Sequence, residues 1–573
     1  MRMIKNIFVL SVLIGLLFAS GCGENKMNDN CDLVLLNGEI YTVNDSIPWA
    51  EALAVKGDRI YKVGSNEEIE MYIGDSTAII DLNGRFVMPG FIDSHAHLIG
   101  IGENLIDVDL RDAQNWDEVI AAVAKAASER RPGEWIVGRG WHQEKFDPEP
   151  EPNVEGYPVH NALSNAVPYN PVMLVHASGH AVFANAKAME IAGADTITSN
   201  PPGGVIVRDS TGKPIGVFEE NAENIIRSAY ERYLNDRSLD ELNAEVIKKI
   251  KFASDLCLKN GVTTLHDAGE DLETIELIKK SVDSNYVKIR LYVMINDALD
   301  KLKGKLKDYK LVGYGENRLT VRAIKQYIDG ALGSRGAWLL EPYSDLPDSY
   351  GSNVTPIKTL DDYCRLAAEN GFQMCIHTIG DRGNREALNL YEKYSRQYEN
   401  FDQMRWRIEH AQHVTPFDIK RFARLNVIAA MQGIHCTSDA PFVIERLGNE
   451  RAASGAYVWR SMLDRGVVIC NGTDAPVESV NPIASFYASV TRKNKDGVGF
   501  YTKQKMTREE AIKTYTINGA YAAFEENLKG SLVEGKLADL VVLSNNLMKC
   551  SEDDILKTEV VYTIVGGKIV YKK

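Results

Sequence analysis

The chain has 573 residues, of which 45% are hydrophobic and 25% are charged. This is the composition of a globular protein long enough to bury a core, and it excludes intrinsic disorder and a collagen-like structure. The 65 Lys and Arg residues against 79 Asp and Glu residues give a formal net charge of −14. The sequence also has no cluster of basic residues that could bind along a phosphate backbone. We therefore do not expect nucleic acid as a partner.

The first 21 residues have the pattern of a bacterial secretory signal. Two basic residues precede an apolar run over 7–18, which is too short to span a bilayer. The small residues just before Cys22 resemble a lipobox, which predicts cleavage before Cys22 and lipid attachment to it, with ordinary signal cleavage as the alternative. We therefore expect a lipoprotein signal peptide over 1–21, a tether over 22–30, and a mature protein that is lipid-anchored in the cell envelope. The sequence does not distinguish the inner from the outer membrane.

Both ends of the mature chain predict β-structure. Short alternating apolar runs, broken by Asn-Gly and Gly-Asp turns, occupy 31–87, and the same pattern returns over 528–573. Neither piece has enough strands for a stable sheet of its own. We therefore predict one composite β-sandwich made from both ends.

Between these ends, eight apolar strand-like runs alternate with helical ones. Repeated β–α units with apolar strands are typical of a parallel sheet, and eight of them favour a closed (β/α)8 TIM barrel, here over 88–527. The stretch from about 100 to 238 is too long for a loop between a strand and its helix. We interpret it as a large insertion after barrel strand 1, where inserted segments cover active sites. The predicted fold class is thus α/β.

Side chains suited to metal binding fall at the ends of several predicted strands. His95 and His97 lie two apart in FIDSHAHL, so a strand would direct both imidazoles to one side. Taken singly, each candidate has a structural explanation, such as an ion pair, a strand-end hydrogen bond or a helix cap. Their shared position at the mouth of a barrel favours one site. The later strand ends supply Lys325, His377, His410 and Asp474.

These motifs, together with LNGEIYTV near the start and GKLADLVVL near the end, resemble the metal-dependent amidohydrolase superfamily. Within it they are similar to the family 3 group that includes YtcJ-like proteins and N-substituted formamide deformylase. In that group the matching histidines and aspartate bind one or two divalent ions, and the strand-4 lysine, where present, is commonly carboxylated and bridges two ions. The resemblance implies metal ligation by His95, His97, Lys325, His377, His410 and Asp474.

The chemistry of these donors agrees with that implication. Imidazole and carboxylate ligands suit Zn²⁺, the metal we expect, and manganese, iron and nickel bind similar donors. One or two ions would lower the pKa of a bound water toward about 7 and polarise a carbonyl. Asp474 would take the proton of that water as general base and pass it to the leaving amine as general acid. The sequence thus predicts hydrolysis of non-peptide carbon–nitrogen amide bonds in a small molecule.

Residues for substrate recognition are less well defined. Trp141 and His180 lie in the insertion, in segments that recur near the substrate in the resembled family. Trp141 is a candidate substrate contact, and His180 is a candidate donor to the developing oxyanion. The alternatives are that Trp141 packs the core of the insertion and that His180 caps a helix. Arg335 in DGALGSRG is a candidate for binding a substrate carboxylate. Further candidates are His142, His176, Glu219, His266 and Asp381, whereas His413 and His435 receive no role.

Two other functions remain open at this stage. One is a ring aminohydrolase, a deaminase that uses a single metal, against which Lys325 argues because a carboxylated bridge implies two ions. The other is a catalytically silent binding or regulatory protein of the cell envelope. The sequence also leaves homo-oligomerisation open.

Overall fold

The computed structural model describes residues 30–106, 108–110, 113–143, 146–176 and 181–573. At its centre is a barrel of eight parallel strands, each hydrogen-bonded to the next, whose first and eighth strands lie side by side. Barrel strands 1 to 8 are, in order, Phe91–Ala96, Val262–Glu270, Arg290–Ile295, Leu319–Tyr327, Gln373–Thr378, Arg407–His410, Ile428–Gln432 and Ile469–Gly472. Each coincides with one of the eight predicted runs, so the predicted fold class is confirmed.

The barrel strands are apolar because both of their faces are covered. Barrel strands 1, 3, 6, 7 and 8 are buried at every position, as expected for parallel strands with helices outside and packed side chains inside. The helix before barrel strand 2 begins at Ser238, which forms a capping box with Glu241. The longer helices around the barrel span Leu98–Ile106, Leu239–Lys259, Leu272–Asp283, Ile357–Asn370, Asp381–Ser395, Pro416–Leu425, Ala440–Leu447 and Pro482–Thr491.

The insertion after barrel strand 1 folds around its own sheet and its own apolar clusters. Its helices span Trp116–Ser128, Asn161–Ala166, Ala186–Ala192 and Glu223–Asn235. Its sheet has six strands, with a spatial order of Gly204–Arg208, Pro214–Glu220, Ala181–Ala184, Val172–His176, Ile136–Trp141 and Val108–Asp109. The insertion is therefore a folded unit and not an extended loop.

The two chain ends meet in one sheet. Strand Leu540–Leu543 near the carboxyl terminus pairs antiparallel with strand Phe86–Pro89 near the amino terminus. The other strands of this six-stranded sheet are Glu39–Tyr41, Trp49–Ala50, Val560–Val565 and Lys568–Lys572. A second sheet contains Leu33–Leu36, Ala52–Lys56, Arg59–Gly64 and Ala78–Asp81, and the two share an apolar cluster. The composite β-sandwich in the predicted fold class is thereby confirmed.

The predicted signal peptide and nearly all of the predicted tether lie outside the described residues, which begin at residue 30. Among the described helices, none combines the length and the apolar character needed to cross a bilayer. Lipid attachment at Cys22 therefore stays a prediction.

A buried ion pair joins the β-sandwich to the barrel. Arg290, the first residue of barrel strand 3, places its Nε 2.6 Å from Oδ2 of Asp539 and its Nη2 2.9 Å from Oδ1. The backbone N–H of Gly566 also donates to Oδ1, at 2.9 Å. Burial alone would raise the pKa of Asp539, but the guanidinium of Arg290 outweighs that effect and holds the pKa below its usual range. The carboxylate is therefore charged and fully paired at neutral pH.

We expect Arg290→Met to destabilise the protein by about 3 to 5 kcal/mol, because it leaves the Asp539 carboxylate buried without a partner. Denaturant or thermal unfolding would measure this loss. The double variant Arg290→Met/Asp539→Leu removes both charges and should recover much of the stability. Lys303→Met, which breaks an exposed pair with Asp300, is the control and should unfold like the wild type. Unchanged unfolding of Arg290→Met would show that this pair does not hold the two parts together.

Candidate metal centre

Three buried side chains at the carboxyl ends of barrel strands 1, 6 and 8 come together at the barrel mouth. His95, His410 and Asp474 each offer a ligand atom, and these atoms all lie within 4.8 Å of one another. Oδ1 of Asp474 is 3.5 Å from Nε2 of His95 and 3.3 Å from Nε2 of His97. His97 keeps 29% of its side chain exposed, so the group is open to solvent on that side.

Two backbone hydrogen bonds between the first and last barrel strands create this arrangement. The N–H of Asp474 donates to the carbonyl of His95 at 2.7 Å, and the N–H of His97 donates to the carbonyl of Ala475 at 2.8 Å. Asp474 has a φ of 56°, in the left-handed region that aspartate tolerates better than most residues. This turn directs its carboxylate onto both imidazoles of barrel strand 1.

Hydrogen bonds to the far side of two rings decide which nitrogens face the centre. Nδ1 of His95 lies 2.5 Å from Oε2 of Glu409, and Nδ1 of His410 lies 2.7 Å from Oε1 of Gln432. Both acceptors require a proton on Nδ1, so each Nε2 keeps its lone pair. Nε2 of His95 is buried and makes no hydrogen bond within the described structure. This is the tautomer in which imidazole binds a metal through Nε2.

The protonation states at neutral pH suit a cation. Burial, reinforced by the charge of Lys325, lowers the pKa of His95 to about 4. Burial also lowers the pKa values of His377 and His410 well below the usual range. Burial opposes ionisation of Asp474, but the hydrogen bond from His97 and the neighbouring imidazoles hold its pKa well below the usual value. Neutral imidazoles and one carboxylate are the donor set that Zn²⁺ uses in proteins, so the residues present fit a metal ion.

The two remaining predicted ligands adjoin this group. The ring of His377 lies 4.4 Å from that of His410 between centroids, and its buried Nε2 makes no hydrogen bond in the described structure. Lys325 is completely buried, with Nζ 3.4 Å from the carbonyl of Ala268 and 4.4 Å from the centroid of the Tyr327 ring. Among the described residues, no carboxylate lies within ion-pair distance of Lys325. The structure thus places all six predicted ligands around one barrel mouth.

Two residues that the sequence reasoning did not single out also adjoin the centre. His435, to which no role was given, sits on the short helix Gly433–Ser438, with Nε2 3.7 Å from Oδ2 of Asp474. Its ring is nearly parallel to that of His410, with centroids 6.2 Å apart. Glu409 is fully buried behind His95. Two charged residues, Arg407 and Glu409, in a four-residue strand that is buried at every position are the signal that would have identified Glu409.

The insertion candidates that the structure describes contact other residues of the insertion. Trp141 has no exposed surface, and its Nε1 donates to the carbonyl of Leu174 at 3.0 Å within the core of the insertion. Because no face of the indole ring is exposed, the structure favours packing of Trp141 in the core of the insertion over the predicted contact with substrate. His142 and His176 lie with ring centroids 4.5 Å apart. His180 falls outside the described residues.

Arg335 is engaged within its own loop. Its Nη2 donates to Oδ2 of Asp345 at 2.6 Å, and Arg446 contacts the same carboxylate. Because the guanidinium of Arg335 is already paired with the carboxylate of Asp345, the structure does not support the predicted contact with a substrate carboxylate. The further candidates also have protein partners. His266 contacts Arg407, and Asp381 accepts a hydrogen bond from the N–H of Leu340. Glu219 accepts a hydrogen bond from the hydroxyl of Tyr157.

Comparison with known proteins agrees with the fold and the site. Residues 78–571 match the sequence profile of the amidohydrolase family. The chain is 33% identical over 553 residues to LONG AFTER FAR-RED 3 of Arabidopsis thaliana, covering 94% of this chain and 91% of that protein. It is 26% identical over 558 residues to an N-substituted formamide deformylase of Arthrobacter pascens, covering 95% of this chain and 98% of that protein.

A solved structure shares the whole architecture. The crystal structure of an uncharacterized metal-dependent hydrolase from Pyrococcus horikoshii OT3 superposes with a TM-score of 0.71 at 26% sequence identity. The match covers 91% of this chain and 99% of that chain. The similarity therefore includes the insertion and the β-sandwich as well as the barrel.

We expect His410→Ala to weaken binding of Zn²⁺ at least about tenfold, because it removes a buried donor from the group. Competition with a chromogenic chelator would measure the dissociation constant. His413→Ala is the matched control, since His413 is also buried but does not belong to the group. Wild-type affinity in His410→Ala would show that the metal, if bound, lies elsewhere.

Proposed function

The chain belongs to the amidohydrolase family, as its motifs predicted, and on this premise we propose that it is a metal-dependent hydrolase of non-peptide amide C–N bonds in small molecules. The observation that carries the proposal is the buried group of His95, His410 and Asp474 at the barrel mouth, in which Nε2 of His95 makes no hydrogen bond to any described residue. The name of its relative from Arthrobacter pascens, an N-substituted formamide deformylase, supports the amide bond as the target.

The residues that would hold the metal are those that converge at the mouth. His95, His97, His377, His410 and Asp474 supply imidazole and carboxylate donors, for which Zn²⁺ is the best-suited ion. A divalent ion in such a site supplies Lewis-acid polarisation of a carbonyl and lowers the pKa of water. The burial of these donors excludes bulk water from most of their surface, which strengthens every charge interaction there.

Lys325 is suited to become a further anionic ligand. An ammonium group buried without a counter-ion is costly. Reaction of the neutral amine with CO2 forms an N–C bond and releases one proton, which converts the side chain into a carboxylate. A carboxylated Lys325 next to His377 would allow a second ion.

Asp474 is the candidate general base and acid. Its Oδ1 contacts the imidazoles of barrel strand 1, whereas its Oδ2 faces His435 at 3.7 Å. Because its pKa is held well below the usual range, the carboxylate is ionised at neutral pH, which is the form that a general base requires. It would take the proton from the attacking water and return it to the amine that leaves as the C–N bond breaks.

The proposal is tested by turnover of the Zn²⁺-loaded protein on three substrate sets: formamides, N-acyl amino acids and cyclic amides. Asp474→Asn keeps an oxygen ligand but cannot accept the proton, so we expect kcat at saturating metal to fall by about 10² to 10⁴. Asp361→Asn makes the same chemical change in an ion pair with Lys393 on the outer helices and should keep wild-type kcat.

Two results would overturn the proposal. Absence of turnover on every amide while the metal is bound would remove the activity, and wild-type kcat in Asp474→Asn would remove the assigned base.

We also propose that the mature protein is lipid-anchored in the bacterial cell envelope through Cys22, on the lipobox-like pattern before that residue. Cys22→Ser should abolish labelling by a palmitate analogue in a bacterial host without changing kcat, because the predicted tether separates the anchor from the barrel. Labelling that persists in Cys22→Ser would contradict the anchor.

A further inference from the structure

A charged pair lies inside the barrel behind the candidate metal centre and does not belong to its donor set. Arg407 and Glu409, both on barrel strand 6, have fully buried side chains. Nε of Arg407 lies 2.7 Å from Oε1 of Glu409, and Nη2 donates to Oε2 at 2.8 Å. The same Oε2 lies 2.5 Å from Nδ1 of His95. The pair therefore contacts a predicted ligand on the side that faces away from the metal.

We propose that Arg407 and Glu409 are positioning residues for His95, which hold its ring so that Nε2 points into the metal centre. This inference rests on the proposed metal-dependent function. Glu409 accepts a hydrogen bond from Nδ1–H of His95 and so selects both the tautomer and the rotation of the ring. Arg407 fixes the direction of the Glu409 carboxylate and also donates to the carbonyl of Ser94 at 2.7 Å, so that it holds the backbone next to His95.

Stability alone does not account for this pair. A buried ion pair is often no more stabilising than apolar residues of similar volume, because desolvation of both charges offsets their attraction. The same barrel contains a cluster of buried apolar side chains that includes Ala268, Met294 and Ala323. An apolar residue at position 409 would fill the same volume but would not accept a hydrogen bond from Nδ1–H of His95. The hydrogen bond to the imidazole is thus what the charge adds.

The contrast with His410 indicates which ligand is held more firmly. The Nδ1 proton of His410 meets the neutral amide of Gln432, whereas that of His95 meets a carboxylate. Hydrogen bonds to ionised acceptors are roughly twice as strong as those between neutral groups. A carboxylate behind an imidazole also raises the basicity of the ligand nitrogen. We therefore expect His95 to contribute a large share of the metal affinity, and this share to depend on Glu409.

The test compares two double variants of the full-length protein that both remove the buried charges. Arg407→Met/Glu409→Gln keeps a neutral acceptor for His95, and Arg407→Met/Glu409→Leu removes it. Both avoid an unpaired buried charge, so thermal unfolding of the metal-free proteins should be similar. We expect Arg407→Met/Glu409→Leu to bind Zn²⁺ about 10 to 100 times more weakly than the wild type. The Zn²⁺ affinity of Arg407→Met/Glu409→Gln should lie between these two. The absorption spectrum of bound Co²⁺ should shift in the second variant as the ligand ring loses its orientation.

Tyr292→Phe is the control, because it removes another buried hydrogen bond inside the barrel, to Gln373, without touching His95. It should keep wild-type affinity for Zn²⁺. Equal Zn²⁺ affinity and an unchanged Co²⁺ spectrum in both double variants would overturn the positioning role while leaving the proposed function intact. Failure of the wild type to bind Zn²⁺ or Co²⁺ would instead overturn the metal-dependent function itself. A loss of affinity in Arg407→Met/Glu409→Leu that only parallels lower thermal stability, and that Tyr292→Phe shares, would also overturn the positioning role.

Discussion

The contact between the end of barrel strand 1 and the loop after barrel strand 8 holds the candidate metal centre together. Besides the backbone bonds of His95 and His97, the buried carboxylate of Asp93 accepts the N–H of Thr473 at 3.0 Å and its hydroxyl at 2.6 Å, across 380 residues of sequence. Asp474 follows directly, so its carboxylate reaches the histidines only when this contact forms. The donor set is therefore complete only when barrel strands 1 and 8 meet, and changes that loosen this closure should weaken metal binding even at a distance from the ligands.

Burial has opposite effects on the two kinds of polar group at the barrel mouth. It keeps the imidazoles neutral, which leaves their lone pairs available to a cation at neutral pH. It also makes every charge that is not matched by a partner expensive. Lys325 has no carboxylate partner among the described residues, and the charges of Arg407 and Glu409 are placed where apolar groups would pack. A role in the site accounts for charges in such positions, as proposed for Lys325 and for the pair of Arg407 with Glu409.

The eight barrel strands and the positions of the six candidate ligands follow from local signals, whereas their role as metal ligands was implied by the resemblance to the amidohydrolase family. Apolar runs identify buried strands, and the rule that active sites lie at the carboxyl ends of barrel strands locates the histidines, Lys325 and Asp474. Local signals did not indicate where a side chain points when its partner lies far away in the sequence. His435 returns to the site through a single helical turn, and Glu409 contacts a residue on the opposite side of the barrel. Trp141 has the same sequence context whether it faces a substrate or a core, and the partner of Arg335 becomes apparent only in the folded loop.

Two buried arginine–carboxylate pairs in this protein show how the same chemistry takes different roles. In the pair of Arg290 with Asp539, the guanidinium and the N–H of Gly566 occupy the carboxylate, so every contact is structural. In the pair of Arg407 with Glu409, one oxygen is shared between the guanidinium and the imidazole of His95. The first pair therefore acts only on the packing of the β-sandwich against the barrel. In the second pair, the hydrogen bond between Nδ1 of His95 and Glu409 links barrel strand 6 to a predicted metal ligand on barrel strand 1.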